Sequence, residues 1–137
     1  MTLLKNVGEK INKNQTEMFI SLSDLISIPS VVSDASGDKP FGEKVHEAFK
    51  YMLDMAEKEG FGVYNADNYG GHIDFDGTDE GIVGVIGHLD VVPESDGWDF
   101  DPYGGEITDG YICGRGATDD KGPVIASFYA MKALKEC

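Results

Sequence analysis

GHLDVVPESDGWDFDPYGGEITDGYICGRGATDDKGP, residues 87–123, is the stretch on which the reading of this chain turns. It follows an apolar run at residues 82–86, opens with His88 and Asp90 two positions apart, and closes on Asp119 and Asp120 just ahead of a helical pattern. In an extended strand residues i and i+2 point to the same side, so His88 and Asp90 share a face. A carboxylate beside an imidazole fixes its tautomer and raises its basicity, the arrangement a metal-bound histidine usually has. A divalent metal site is therefore the first expectation.

Working outward, residues 82–86 are apolar on both faces and predict an interior strand covered by helices on each side. Its carboxyl end delivers His88, where open α/β sheets place their ligands. Residues 91–105 read as loop because of Pro93, Gly97, Pro102 and the Gly104 and Gly105 pair, with Trp98 and Tyr103 expected to anchor it by burying their rings. Asp109 and Gly110, flanked by Ile107, Thr108, Tyr111 and Ile112, predict a tight hairpin turn. Cys113 reads as a small buried thiol, since a ligand would need deprotonation and a partner. Gly114, Arg115 and Gly116 then turn the chain back toward His88. Pro123 fits the first turn of a helix whose apolar positions, Val124, Ile125, Phe128, Tyr129, Met131 and Leu134, run nearly all round and predict burial. Asp119 precedes that helix, where the dipole and free N–H groups favour an ionised carboxylate. The plainer reading of Asp119 and Asp120 is a pair of helix caps.

Upstream, a helix is expected to begin at Asn14, which can cap while Glu17 answers, and to continue through Met18, Leu22, Leu25 and Ile26 before Pro29 stops it. Residues 29–42, rich in Ser, Gly, Asp and Pro, read as loop. A second helix carries Val45, Phe49, Met52 and Ala56 on one stripe and ends at Gly60, with His46 beside the stripe at the surface. The period then becomes alternating, and residues 61–64 and 71–76 predict short strands. In the second, His72, Asp74 and Asp76 face away from Ile73 and Phe75, a face read as a solvated edge.

The 137 residues carry a net charge of −14, and residues 61–120 hold 14 Asp or Glu against one basic residue, Arg115. Such a field repels nucleic acid phosphates and anionic membranes and concentrates divalent cations. Most of these carboxylates serve solubility. The N-terminus lacks an apolar signal core and no run of 18 apolar residues occurs, so neither export by a cleaved signal nor a membrane span is expected. Cys113 and Cys137 make no zinc-type spacing and no disulfide framework, which fits a reducing cytoplasm.

Five ordered blocks carry a resemblance. Gly87-His88-Leu89-Asp90-Val91-Val92-Pro93, Gly97-Trp98, Asp101-Pro102-Tyr103, Asp109-Gly110 and Gly114-Arg115-Gly116-Ala117-Thr118-Asp119-Asp120-Lys121-Gly122-Pro123 resemble the N-terminal half of the catalytic domain of an M20-type zinc metallopeptidase. The Asp120-Lys121-Gly122-Pro123 ending is similar to the bacterial cytosolic dipeptidase and carnosinase-like branch. The resemblance implies an α/β fold, the first part of a three-layer, phosphorylase/hydrolase-like domain with a mainly parallel sheet. It implies that residues 1–137 form an incomplete N-terminal portion of that domain, with the lid or dimerisation domain beyond Cys137, through which a homodimer would form.

The resemblance further implies that His88 binds one of two zinc ions, that Asp119 bridges both, that Asp90 serves catalysis by orienting His88, and that the Asp119-Asp120 peptide is cis. The substrate would be a dipeptide or small peptide, hydrolysed by a metal-activated water. The family's general base is a Glu in a Glu-Glu pair a few dozen residues after the bridging Asp, and this sequence stops before it, so the chain alone is expected to be inactive. Three alternatives stay open: a deacylase or desuccinylase using the same residues, a non-catalytic metal-binding fragment, and a small self-sufficient binding domain.

Overall fold

A computed structural model describes residues 2–78 and 80–137. Three helices, α1 (Leu3–Ile26), α2 (Glu43–Lys58) and α3 (Lys121–Lys135), accompany two hairpins, β1 (Gly62–Ala66) with β2 (Gly70–Asp74) and β3 (Glu106–Thr108) with β4 (Tyr111–Cys113). The core lies where α1 and α3 pack together, with Leu25, Ile26, Ile125 and Phe128 at its centre and Ala48, Met52 and Ala56 of α2 closing it. Among the described residues, no helix is long and apolar enough to cross a membrane.

The helix of the first segment starts at Leu3, not at Asn14. Residues 3–13 contain no proline, so nothing stops the helix from extending toward Thr2 although Leu3 and Leu4 stay exposed. Asn14 is buried inside the helix and donates from Nδ2 to Glu136 at 3.3 Å, a tie between α1 and the end of α3. The end of α2 follows expectation in detail. Gly60 takes a φ of 72°, its N–H bonds Glu57 O at 2.9 Å, and the Phe61 N–H reaches back to Ala56 O at 3.0 Å. This pair of bonds satisfies the last helical carbonyls and swings Phe61 into the core against Phe128.

β1 and β2 pair antiparallel with Val63 opposite Ile73, slightly offset from the predicted strands. The second hairpin turns at Asp109 and Gly110, both with positive φ, as the Asp-Gly pair requires. Pro123 sits in the first turn of α3, but that helix is not apolar all round: Leu134 is exposed and Lys132 is buried on the opposite count.

The expected interior strand at residues 82–86 is not formed. Ile82 and Val83 are 98% exposed and Ile86 is 99% exposed. Among the described residues both sheets are antiparallel pairs, and the single parallel contact is an isolated bridge between Val31 and Val91. A parallel strand needs neighbours delivered by crossovers of a dozen or more residues, and no described segment supplies one. The α/β composition stands, while the mainly parallel sheet is absent from the described residues.

Candidate metal centre

His88 and Asp119, 31 positions apart, meet at the mouth of a cavity of about 260 Å³. His88 is delivered by an extended segment anchored from beneath. Ser30 donates its hydroxyl to Leu89 O at 2.6 Å, and the Val91 N–H bonds Ser30 O at 3.0 Å. Asp120 completes the seating by accepting the His88 backbone N–H on Oδ2 at 3.1 Å. This contact demands close approach, because a Cβ on Gly87 would stand 2.8 Å from the same oxygen and 2.6 Å from Val124 Cγ2. Only glycine fits there without displacement.

Asp119 is delivered from the other side by the turn before α3, and the Asp119-Asp120 peptide is cis. That turn is fastened by Lys121, which is wholly buried and donates from Nζ to Leu25 O at 2.8 Å and to Ile28 O at 2.7 Å. Leu25 lies in the last turn of α1 and Ile28 just past its end, where helical partners run out, so the lysine caps α1 while holding the start of α3. Burial pushes its pKa down to about 8.

The imidazole is held at both nitrogens. Nδ1 lies 3.1 Å from the Asp90 carbonyl oxygen and 3.4 Å from its carboxylate, and Nε2 lies 3.1 Å from Asp119 Oδ1. A carbonyl can only accept, so Nδ1 carries a proton and donates it. Nε2 and the Asp119 carboxylate then face each other as two lone-pair atoms, an arrangement held together by a proton or by a cation. Partial desolvation pushes the His88 pKa down, but the Asp90 carbonyl, the Asp119 contact and the charges of Asp90 and Asp120 outweigh it and leave the pKa raised. Both side chains remain open to solvent, with Asp119 87% exposed.

The Trp98 and Tyr103 rings are half-buried instead of sunk in the loop. Trp98 lines the cavity with the Arg115 guanidinium 5.0 Å above its ring, and the Tyr103 hydroxyl donates to Glu94 at 2.7 Å. Cys113 is half-buried and Cys137 exposed, and both are free. The face at His72 and Asp74 stays exposed, its imidazole stacked on Tyr64 at 5.2 Å. A larger groove of about 330 Å³ between α2 and β1 contains His46 but shares no residue with the site. Among the described residues no group of three or more His, Cys, Asp or Glu side chains converges. The contributions of Asp120 and Lys121 were not foreseen residue by residue, since each bonds a distant backbone atom that no side-chain pattern announces.

The model of peptidase family M20/M25/M40 matches residues 84–137, the part that contains His88, Asp90 and Asp119. Those residues are thus similar to the M20/M25/M40 peptidases. YtjP of Bacillus subtilis, provisionally named a dipeptidase, is 41% identical over 129 residues, covering 93% of this chain and 28% of that protein. A protein of Staphylococcus epidermidis, likewise provisionally named a dipeptidase, is 40% identical over 130 residues, with the same two shares of 93% and 28%. The chain thus spans little more than a quarter of the length of these relatives. Among solved structures, human carnosine dipeptidase 1 superposes with a TM-score of 0.74 at 29% identity over 98% of this chain and 32% of that one. The di-peptidase Dug1p of Saccharomyces cerevisiae gives 0.77 at 27% identity over 99% and 32%. The likeness to these two dipeptidase structures extends over nearly the whole chain.

Proposed function

We propose that this chain is the N-terminal portion of the catalytic domain of a cytoplasmic zinc dipeptidase, contributing half of a two-zinc site. The observation that carries the reading is the opposed pair His88 Nε2 and Asp119 Oδ1 at 3.1 Å. Two donors on one tetrahedral zinc, each bound at about 2.0–2.2 Å, stand about 3.3 Å apart. The pair therefore fits two positions of such an ion. His88 would hold one zinc and Asp119 would bridge it to the second. The Asp90 backbone carbonyl accepts from Nδ1 at 3.1 Å and the Asp90 carboxylate stands 3.4 Å from the same nitrogen, which would keep Nε2 free as a ligand. Bound zinc supplies a water acidic enough to act as nucleophile near neutral pH.

The residues of this chain do the positioning. Asp120 fixes the backbone of His88, Lys121 fixes the turn that presents Asp119, and Ser30 fixes the segment between His88 and Val91. Catalytic zinc takes three protein ligands, and the remaining ligands, a general-base Glu, a parallel sheet flanking residues 82–86 and a lid or dimerisation domain would come from the length the relatives have and this sequence does not. The names of those relatives favour dipeptides over acylated amines as substrates. The free thiols of Cys113 and Cys137 suit a reducing compartment.

Calorimetric titration with zinc tests the site without any turnover. The chain should bind zinc weakly, and more weakly as the pH falls, because zinc and a proton compete for His88, whose pKa is raised. His88→Ala and Asp119→Ala should each abolish the binding, while Asp90→Asn should weaken it about 10 to 100 fold. Equal affinity in wild type and both alanine variants would sink the assignment.

A further inference from the structure

We propose that Ser30 and Lys121 are positioning residues joined through Ile28 in one buried hydrogen-bond relay, which sets the spacing of His88 and Asp119. The side chains of that pair are themselves open, His88 50% and Asp119 87% exposed, so their own packing does not hold them at 3.1 Å. A site with exposed side chains keeps its geometry only through the locked groups behind it. Those groups are closed to water here: Ser30 and Lys121 are both 0% exposed and Ile28 is 8% exposed.

The relay runs without a gap. The Ser30 hydroxyl donates to the carbonyl of Leu89, the residue after His88, at 2.6 Å. The Ser30 N–H donates to Ile28 O at 2.8 Å, and the same oxygen accepts Lys121 Nζ at 2.7 Å. A carbonyl oxygen has two lone pairs, so Ile28 O serves both sides at once and forms the junction. The Ser30 to Ile28 bond closes a three-residue turn centred on Pro29, whose ring fixes φ near the value such a turn needs. Lys121 stands two positions after Asp119, so each end of the relay lies next to one member of the pair. Buried hydrogen bonds in series polarise one another, and loosening one end therefore loosens the other. Asp120 Oδ2 joins the same two segments on the exposed side by accepting the His88 N–H at 3.1 Å. The consequence for metal binding rests on the zinc reading, but the relay is measurable without metal.

Amide hydrogen exchange of the metal-free chain, with EDTA present, reads both ends of the relay. The Val91 N–H, bonded to Ser30 O at 3.0 Å, reports on the His88 side, and the Gly122 N–H, bonded to Gly116 O at 3.3 Å, on the Asp119 side. The Ala56 amide inside α2 is the reference, so that a ratio of rates cancels global opening. Ser30→Ala should raise the Val91 ratio about tenfold, the worth of one buried hydrogen bond. It should also raise the Gly122 ratio about threefold, although Ser30 bonds neither Gly122 nor Gly116. Lys121→Met keeps the stem, removes the donors and should raise the Val91 ratio about threefold from the opposite end. The double variant should raise the Val91 ratio by less than the product of the two single effects. Phe128→Leu, a core substitution outside the relay, should leave both ratios unchanged. A Ser30→Ala chain whose Gly122 ratio matches wild type overturns the relay, and that arm decides alone if Lys121→Met does not fold. A wild-type Val91 ratio in folded Lys121→Met, or effects that simply multiply in the double variant, overturns it as well. In the zinc titration each single variant should weaken binding about tenfold, since neither residue is a ligand. A wild-type chain that binds no zinc sinks the metal centre and leaves the exchange ratios to judge the relay, so the two readings fail separately.

Discussion

Two short apolar stretches of this chain meet opposite fates. Around Phe61 and Val63 the chain leaves α2, buries the phenyl ring and enters a hairpin, whereas residues 82–86, more apolar still, lie bare to solvent. The first stretch is organised by its near neighbours: the Gly60 turn aims it, β2 lies seven positions further on, and Phe128 receives the ring at 5.4 Å. The second has no pairing partner among the described residues. Hydrophobicity sets the demand for burial, but the supply of a neighbour decides whether a strand forms. A hairpin brings its neighbour with it, and a parallel strand must wait for one.

The largest effect expected from this contrast is at Phe61. It is 6% exposed, packs edge-on against Phe128 and Phe75, and carries the Lys135 ammonium 4.2 Å above its ring. Phe61→Ala should cost about 3–5 kcal/mol through lost burial and the cavity left behind. Urea unfolding followed by far-UV circular dichroism measures it. A loss below about 1 kcal/mol would mean that the hairpin is anchored elsewhere and that the contrast with residues 82–86 is weaker than drawn.

The same division governs what the sequence made legible. The end of α2 at Gly60, the Asp109-Gly110 hairpin and the Pro123 start of α3 were readable because each is encoded within a few residues. The start of α1 was misplaced by eleven positions, counted from Asn14 to Leu3, because a plausible cap inside a helix looks the same as one at its end. The strand at residues 82–86 was misjudged because an apolar run signals a demand for burial but not whether a pairing neighbour is at hand, and among the described residues there is none. At the site, His88 and Asp119 could be paired across 31 positions only through the five ordered motif blocks. Lys121 escaped notice because a charged residue at the start of an apolar helix ordinarily faces water, whereas here it caps α1 from within.

A smaller effect, and one with a pH signature, should appear at Lys132, which links all three helical regions. Its ammonium bonds Glu17 of α1 at 3.1 Å and Glu59, beyond α2, at 2.8 Å. Burial pushes its pKa down, but the hydrogen bonds to Glu59 and Glu17 and their charges outweigh it and leave the pKa raised above 10.5. A lysine whose folded pKa exceeds its unfolded value contributes fully below the unfolded pKa and loses that contribution as the pH climbs through the folded one. Lys132→Met should therefore cost about 1 kcal/mol at neutral pH, the usual scale for partly exposed pairs, and the gap to wild type should close as the pH climbs past 10.5 through the raised folded pKa. Urea midpoints from pH 8 upward would show it, and a gap that stays constant would assign the loss to packing of the lysine stem.

The smallest effect is the one that most sharpens the contrast. Val83→Thr exchanges a methyl for a hydroxyl at nearly constant volume, and Val83 is 98% exposed in this chain. In the 137 residues alone the substitution should shift stability by no more than about 0.5 kcal/mol, as solvent already bathes both side chains. In a chain extended to the length of the relatives, the proposed sheet would enclose residues 82–86, and the same hydroxyl would lose its water. There the cost should rise to about 1–3 kcal/mol, the penalty for a buried hydroxyl short of a partner. The difference between the two backgrounds isolates what the missing neighbours contribute, because the substitution and its local sequence are identical in both. Equal small shifts in both would mean that residues 82–86 stay uncovered in the longer chain, and the delivery of His88 would then rest on Ser30 and Asp120 alone.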